Sequence, residues 1–160
     1  LEKHDLIVVG PDPVAYQETL QEVRGRLREY VKNGGEILIL GQSFGLSDDI
    51  YDLSIHAAYA EPPASPRVAA SDHPIFKSPY TINIEALDSL TAVIGFAWPA
   101  RVSGGRELIS AGELGSYLTV VTVGDGHVIY CGLPLLEMAA RLDADAIHLL
   151  ANLMNFGHGD

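Results

Sequence analysis

Two stretches of the chain are apolar at every position, and they set its frame. Leu6-Ile7-Val8-Val9 runs without a polar residue into Gly10-Pro11, and Ile37-Leu38-Ile39-Leu40 does the same between Glu36 and Gly41. An unbroken apolar run of this length, closed by glycine or proline, predicts a strand buried on both faces, as in a parallel sheet. Between the two runs the period changes. Tyr16, Leu20, Val23, Leu27, Tyr30 and Val31 recur at helical spacing and make one apolar stripe, hence an amphipathic helix. Asp12-Pro13 supplies its start, with a side-chain acceptor before a proline at the first helical position. Gly34-Gly35 supplies its left-handed end. Together the three elements read as a βαβ unit.

The pattern weakens in the middle and returns later. Leu53-Ser54-Ile55-His56 fits an exposed strand, Tyr59 to Pro66 a proline- and alanine-rich connection, and Ser71 to Phe76 a turn that tucks apolar residues inward. In that turn Asp72 is expected to cap backbone amides. Thr91 to Ala97 and Glu107 to Ser110 are candidate strands, with Ser103-Gly104-Gly105 as a turn before the second. Tyr117 to Val123 is strongly β-like, and Gly124-Asp125-Gly126 turns it into His127 to Cys131, an antiparallel hairpin. Asp143 caps a last helix whose buried stripe is expected to be Ile147, Leu150, Leu153 and Met154. The sum is one α/β domain over residues 1–160, a flavodoxin-like three-layer sandwich with a mostly parallel sheet and a late antiparallel hairpin. Such a sheet binds ligands at the carboxyl ends of its strands, which directs attention to the loop after Leu40.

Charge narrows the partners. Twenty-one Asp and Glu against ten Lys and Arg give a net charge of −11. Phosphate backbones and anionic lipid are held chiefly by basic side chains, so nucleic acid and membrane surfaces are not expected partners. The single cysteine, Cys131, leaves no intrachain disulfide and no cysteine-based zinc site. The chain does not begin with methionine, which is expected of a processed protein or of a segment of a longer one. The compartment stays open between cytoplasmic and secreted.

The loop after Leu40 reads Gly41-Gln42-Ser43-Phe44-Gly45, a G-x-S-x-G pattern placed directly after a buried strand, as a nucleophile elbow requires. Three segments then carry a family likeness: Tyr30 to Gly41, Asp72-His73-Pro74-Ile75, and Gly124 to Tyr130. With them the chain, from Asp5 to Phe156, resembles class I glutamine amidotransferase-like domains. It is most similar to non-catalytic versions such as the trimerisation domain of β-galactosidases and to ThuA-like proteins. The resemblance implies a cysteine nucleophile where this chain has Ser43, and a His-Pro-x-Glu base where it reads Leu133-Pro134-Leu135-Leu136-Glu137. A hydroxyl without an adjacent base is a poor nucleophile, so glutamine hydrolysis is not expected.

Three functions follow. The first is a non-catalytic accessory or assembly domain of a larger carbohydrate-active enzyme of the glycoside hydrolase type. Its partners would be the other domains of the parent chain, further copies of itself, or carbohydrate. In the family a further strand would precede Leu6 to Val9. The second is a stand-alone serine hydrolase. Its candidate catalytic residues are Ser43, Asp72 and His127, with His148 as an alternative base, in the chain order of the α/β-hydrolase roles. The third is a ThuA-like, sugar-related protein. Candidate binding residues in any of these are Gln42, Ser43, Asp72, His73 and Trp98. No metal site and no cofactor are expected: the histidines share no ligand spacing, the Asp48-Asp49-Asp52 cluster lacks the alternation of a calcium loop, and no glycine pair opens a helix.

Overall fold

The computed structural model describes residues 5–11, 17–41, 55–57, 65–85, 87 and 97–158. The early βαβ unit forms, but its first strand, expected to be buried on both faces, has one neighbour among the described residues and leaves Val8 46% exposed. Strand β1 is Leu6–Val9, helix α1 is Gln17–Lys32 and strand β2 is Glu36–Leu40. Gly34 ends α1 at φ +95°, the left-handed region that a side chain disfavours. Asp12, Pro13 and Tyr16, expected at the helix start, lie outside the described residues.

The later elements are β3 (Ile55–Ala57), β4 (Arg67–Val68), β5 (Ala100–Val102), β6 (Arg106–Ser110), β7 (Ser116–Val123), β8 (Gly126–Cys131), α2 (Leu135–Ala139) and α3 (Ala144–Met154). Among the described residues, eight strands join one sheet in the order β1-β2-β8-β7-β5-β3, with β6 also on β7 and β4 on β6. The pairs β1–β2 and β2–β8 are parallel, and every pair from β7 onward is antiparallel. This is the α/β, flavodoxin-like class that the sequence predicts. The β7–β8 hairpin closes at Gly124-Asp125, where the Asp125 N–H donates to the Lys32 carbonyl at 3.1 Å and ties the turn to the end of α1.

Strand β2 divides the interior. Ile37 and Ile39 face α1, in a core with Leu27, Tyr30, Val31, Val128 and Tyr130. Leu38 and Leu40 face the other way, into the larger core with Ile129, Cys131, Met138, Leu149 and Leu153. Successive side chains of a strand point to opposite faces, so a wholly apolar strand between two helical layers is what fills both cores. Each fully buried aliphatic side chain contributes roughly 1.5–3 kcal/mol to holding the layers together.

Three sequence expectations are corrected. The buried face of α3 is Ala146, Leu149, Asn152 and Leu153, whereas Ile147 and Met154 are 40% and 43% exposed. The stripe is displaced because Asn152 packs inside, where its side chain satisfies three backbone groups. In the Asp72 turn the cap is His73: its Nδ1 accepts from the Ile75 N–H at 3.4 Å, while Asp72 points outward. Strands β4 and β5 were not anticipated, since two or three residues carry no readable period. Asp143 does cap α3, accepting from the Ala146 N–H at 2.9 Å. Of the candidate strand Thr91 to Ala97, only Ala97 is described, and it is not in a strand.

Candidate functional site

At the carboxyl end of β2 a cavity of about 280 Å³ opens between Leu40, Gly41, Trp98, Leu133 and Glu137, with Pro11 at its edge. The crossing of two backbones shapes it. The Trp98 N–H donates to the Gly132 carbonyl at 2.7 Å, the Gly132 N–H donates to the Tyr117 carbonyl at 2.7 Å, and the Tyr130 hydroxyl donates to the Trp98 carbonyl at 2.6 Å. A Cβ at position 132 would overlap the Trp98 carbonyl oxygen, so only glycine permits this approach. Trp98 is thereby held half-buried beside Gly41.

The lining is mostly apolar, and Glu137 is its one ionisable side chain among the described residues. Leu133-Pro134 follows β8 after Gly132 and lines the same cavity as Gly41, so the segment in which the family resemblance implies a base comes to the end of β2. What it presents there is leucine. Cys131, the last residue of β8, is fully buried, and burial pushes its thiol up to about 12, so it presents no thiolate to the cavity. Gln42 and Ser43 lie outside the described residues.

The other candidates gather at the opposite end of the sheet. Glu36 opens β2 and is the parallel register partner of His127, which places both side chains on the α3 face. The His127 ring meets Phe156 edge-on at 5.1 Å between centroids, and Phe156 stacks on His73 at 5.2 Å. Burial lowers the pKa of both histidines; at His73 the Arg106 charge adds to that and Asp72 opposes it. Asp72 itself is exposed and pairs with Arg106 at 3.4 Å, a contact worth at most about 1 kcal/mol. His148, the alternative base, stacks on Tyr80 at 4.5 Å. Four residue steps of β2, roughly 13 Å, separate the level of Glu36 and His127 from that of Leu40. The structure therefore brings His73 and His127 together beside Asp72, and brings Trp98 to Gly41, but the two groups stand at opposite ends of one strand. Among the described residues no three His, Cys, Asp or Glu side chains could jointly hold a metal ion. Nor is any helix among them long and apolar enough to cross a membrane.

Sequence reasoning missed Glu36. It is 1% exposed, and neither carboxylate oxygen has a hydrogen-bond partner. Burial raises its pKa to about 7, and the nearby Gly157 backbone amide offsets only part of that. The available signal was its place in the sequence: a charge standing first in a strand read as buried on both faces.

No family model matches this sequence, and no curated protein matches it. Solved structures do match. A cytoplasmic protein from Salmonella typhimurium is similar over 98% of this chain and 72% of its own, with a TM-score of 0.58 and 13% identity. At that identity the likeness is one of fold. An exo-β-1,4-mannosidase from Opitutaceae bacterium strain TAV5 is similar over 96% of this chain at TM-score 0.48 and 15% identity. A β-galactosidase from Bacillus circulans sp. alkalophilus is similar over 93% of this chain at TM-score 0.40 and 15% identity. This chain spans 25% of the mannosidase and 21% of the galactosidase.

Proposed function

We propose that this chain is a non-catalytic, amidotransferase-like domain that serves assembly, or shapes a neighbouring site, in a larger carbohydrate-active enzyme. The observation that carries this reading is the juxtaposition of Gly41 and Leu133 in one cavity. This supports the reading because the buried strand that leads into Gly41 meets, in the segment where the resemblance implies a base, a hydrocarbon side chain. A serine hydroxyl is a poor nucleophile unless an adjacent base takes its proton, and leucine stands where the resemblance implies that base. The half-buried Trp98 beside the same cavity is an apolar surface on which a sugar face or a partner side chain can lie.

Sedimentation equilibrium and activity-based labelling test the two halves of the proposal. The 17.2 kDa chain is expected to form a defined homo-oligomer and to remain unlabelled by a fluorophosphonate probe. A monomer at all concentrations overturns the assembly role. Labelling that is lost in Ser43→Ala overturns the non-catalytic reading in favour of a serine hydrolase.

A further inference from the structure

Glu36 is buried beneath the short turn that follows α3. The 3-10 turn Phe156–His158 follows α3 and returns across the amino end of β2. Gly157 lies so close to Glu36 that a Cβ there would overlap its Oε2 atom. Phe156 packs on the larger core and is gripped between the rings of His73 and His127. The carboxyl group thus has a lid of one short turn, and beneath that lid it has no hydrogen-bonding partner. An ionised carboxylate in that position loses its water and recovers only part of the cost from the nearby Gly157 N–H, whereas a protonated one is tolerated.

We propose that the turn Phe156–His158 is a pH-responsive latch that closes over Glu36 in its protonated form and releases when the proton is lost. The groups around it set the balance. From α1 the Tyr30 hydroxyl is committed to the Glu36 backbone, donating to its carbonyl and accepting from its N–H at 3.3 Å each, so it is not aimed at the carboxylate. Asp5, ahead of β1, adds a negative charge felt at Tyr30. From β8 comes His127, and beyond Phe156 come His73, Asp72 and Arg106. None of these side chains reaches the Glu36 oxygens, and the Gly157 N–H of the turn itself offsets only part of the cost of burial.

The sign follows from linkage. The Glu36 pKa is about 7 in the closed state against 4.5 ordinarily. Its contribution to closure is full below pH 4.5, declines as the pH rises from there, and is spent above about 7. The two histidines act oppositely. Their pKa values are lowered from 6.5 in the closed state, so they favour closure above that pH and oppose it below.

Hydrogen exchange at the Phe156 and Gly157 amides, corrected for intrinsic rates, tests the latch in wild type and Glu36→Gln. The histidines are common to both proteins and cancel in the ratio. The ratio of wild-type to variant opening should rise by about tenfold per pH unit between pH 4.5 and 7 and then level off, on the order of 100-fold in all. A flat ratio overturns the proposal. A second measurement needs no variant: the wild-type Glu36 carboxyl carbon, followed by NMR, should titrate above the ordinary carboxylate range, towards the closed-state value of about 7. Titration in the ordinary carboxylate range overturns the latch even where Glu36→Gln does not fold. So does a titration near 7 that leaves the Phe156 and Gly157 amides equally protected at pH 5 and pH 8.

Discussion

Asn152 and Tyr80 bond to each other through both edges of one amide. The Asn152 Oδ1 accepts from the Tyr80 N–H at 2.9 Å, and its Nδ2 donates to the Tyr80 carbonyl at 2.7 Å. The same Nδ2 donates to the Ile75 carbonyl at 2.7 Å. A fully buried side chain on α3 thus replaces a strand as the partner of the irregular segment after Phe76. Asn152→Ala strips three backbone groups of their partner at once. It should destabilise the fold by about 2–4 kcal/mol, read as a lower urea midpoint at unchanged slope.

Gly132 admits the Trp98 carbonyl where a methyl group would stand. Gly132→Ala should force the two backbones apart and cost about 3 kcal/mol. Trp98 is the only tryptophan, so its emission reports on the cavity directly. A red shift in the still-folded variant is the expected sign that the wall has moved.

Glu36→Gln removes the ionisation without removing the shape. Relative to wild type it should stabilise the fold at pH 8 by up to about 3 kcal/mol, the equivalent of a carboxyl displaced from 4.5 to about 7. Release of the Phe156 turn rehydrates the carboxylate and caps the gain. At pH 4.5 and below, the two proteins should unfold at the same denaturant concentration. A constant difference at both pH values would mean that Glu36 acts through packing alone.

Cys131 is sealed in the larger core with its thiol held at about 12. At pH 8 it should resist Ellman's reagent in the native protein and react promptly in guanidinium chloride. Fast native labelling would show that β8 opens without global unfolding.

Leu142 stands between α2 and α3 at φ +62° and is 84% exposed. It has little burial to lose and sits where a Cβ is disfavoured. Leu142→Asn should stabilise the fold by about 0.5–1 kcal/mol, because asparagine tolerates the left-handed region. A small rise in Tm is the measurement.

The sequence yields α1, β2 and the β7–β8 hairpin because burial on both sides of the sheet demands unbroken apolar runs, and such runs are visible without neighbours. It yields the start of α3 because an aspartate cap is local chemistry. It misreads the inner face of α3 because hydrophobicity alone prefers Ile147 and Met154 to Asn152, whose reason for being inside lies more than seventy residues away in the chain. The same non-locality hides β4 and β5, which exist through their partners Ile109, Ser110 and Ser116. At the candidate site, the resemblance set Ser43 against Leu133, and of these only Leu133 is among the described residues. Glu36 was not legible, because a strand's first residue is ordinarily wet, and it is the return of the Phe156–His158 turn that covers it.

Strand β2 supplies alternate side chains to two separate interiors. Its length is therefore constrained in parity as well as in number. One residue inserted between Glu36 and Leu40 would exchange the contents of both interiors downstream of the insertion and present Gly41 to the wrong layer. Two residues would restore the alternation and merely move the cavity about 7 Å outward. Descendants of such a chain can vary their end loops by any number of residues, but they can lengthen this strand only in pairs.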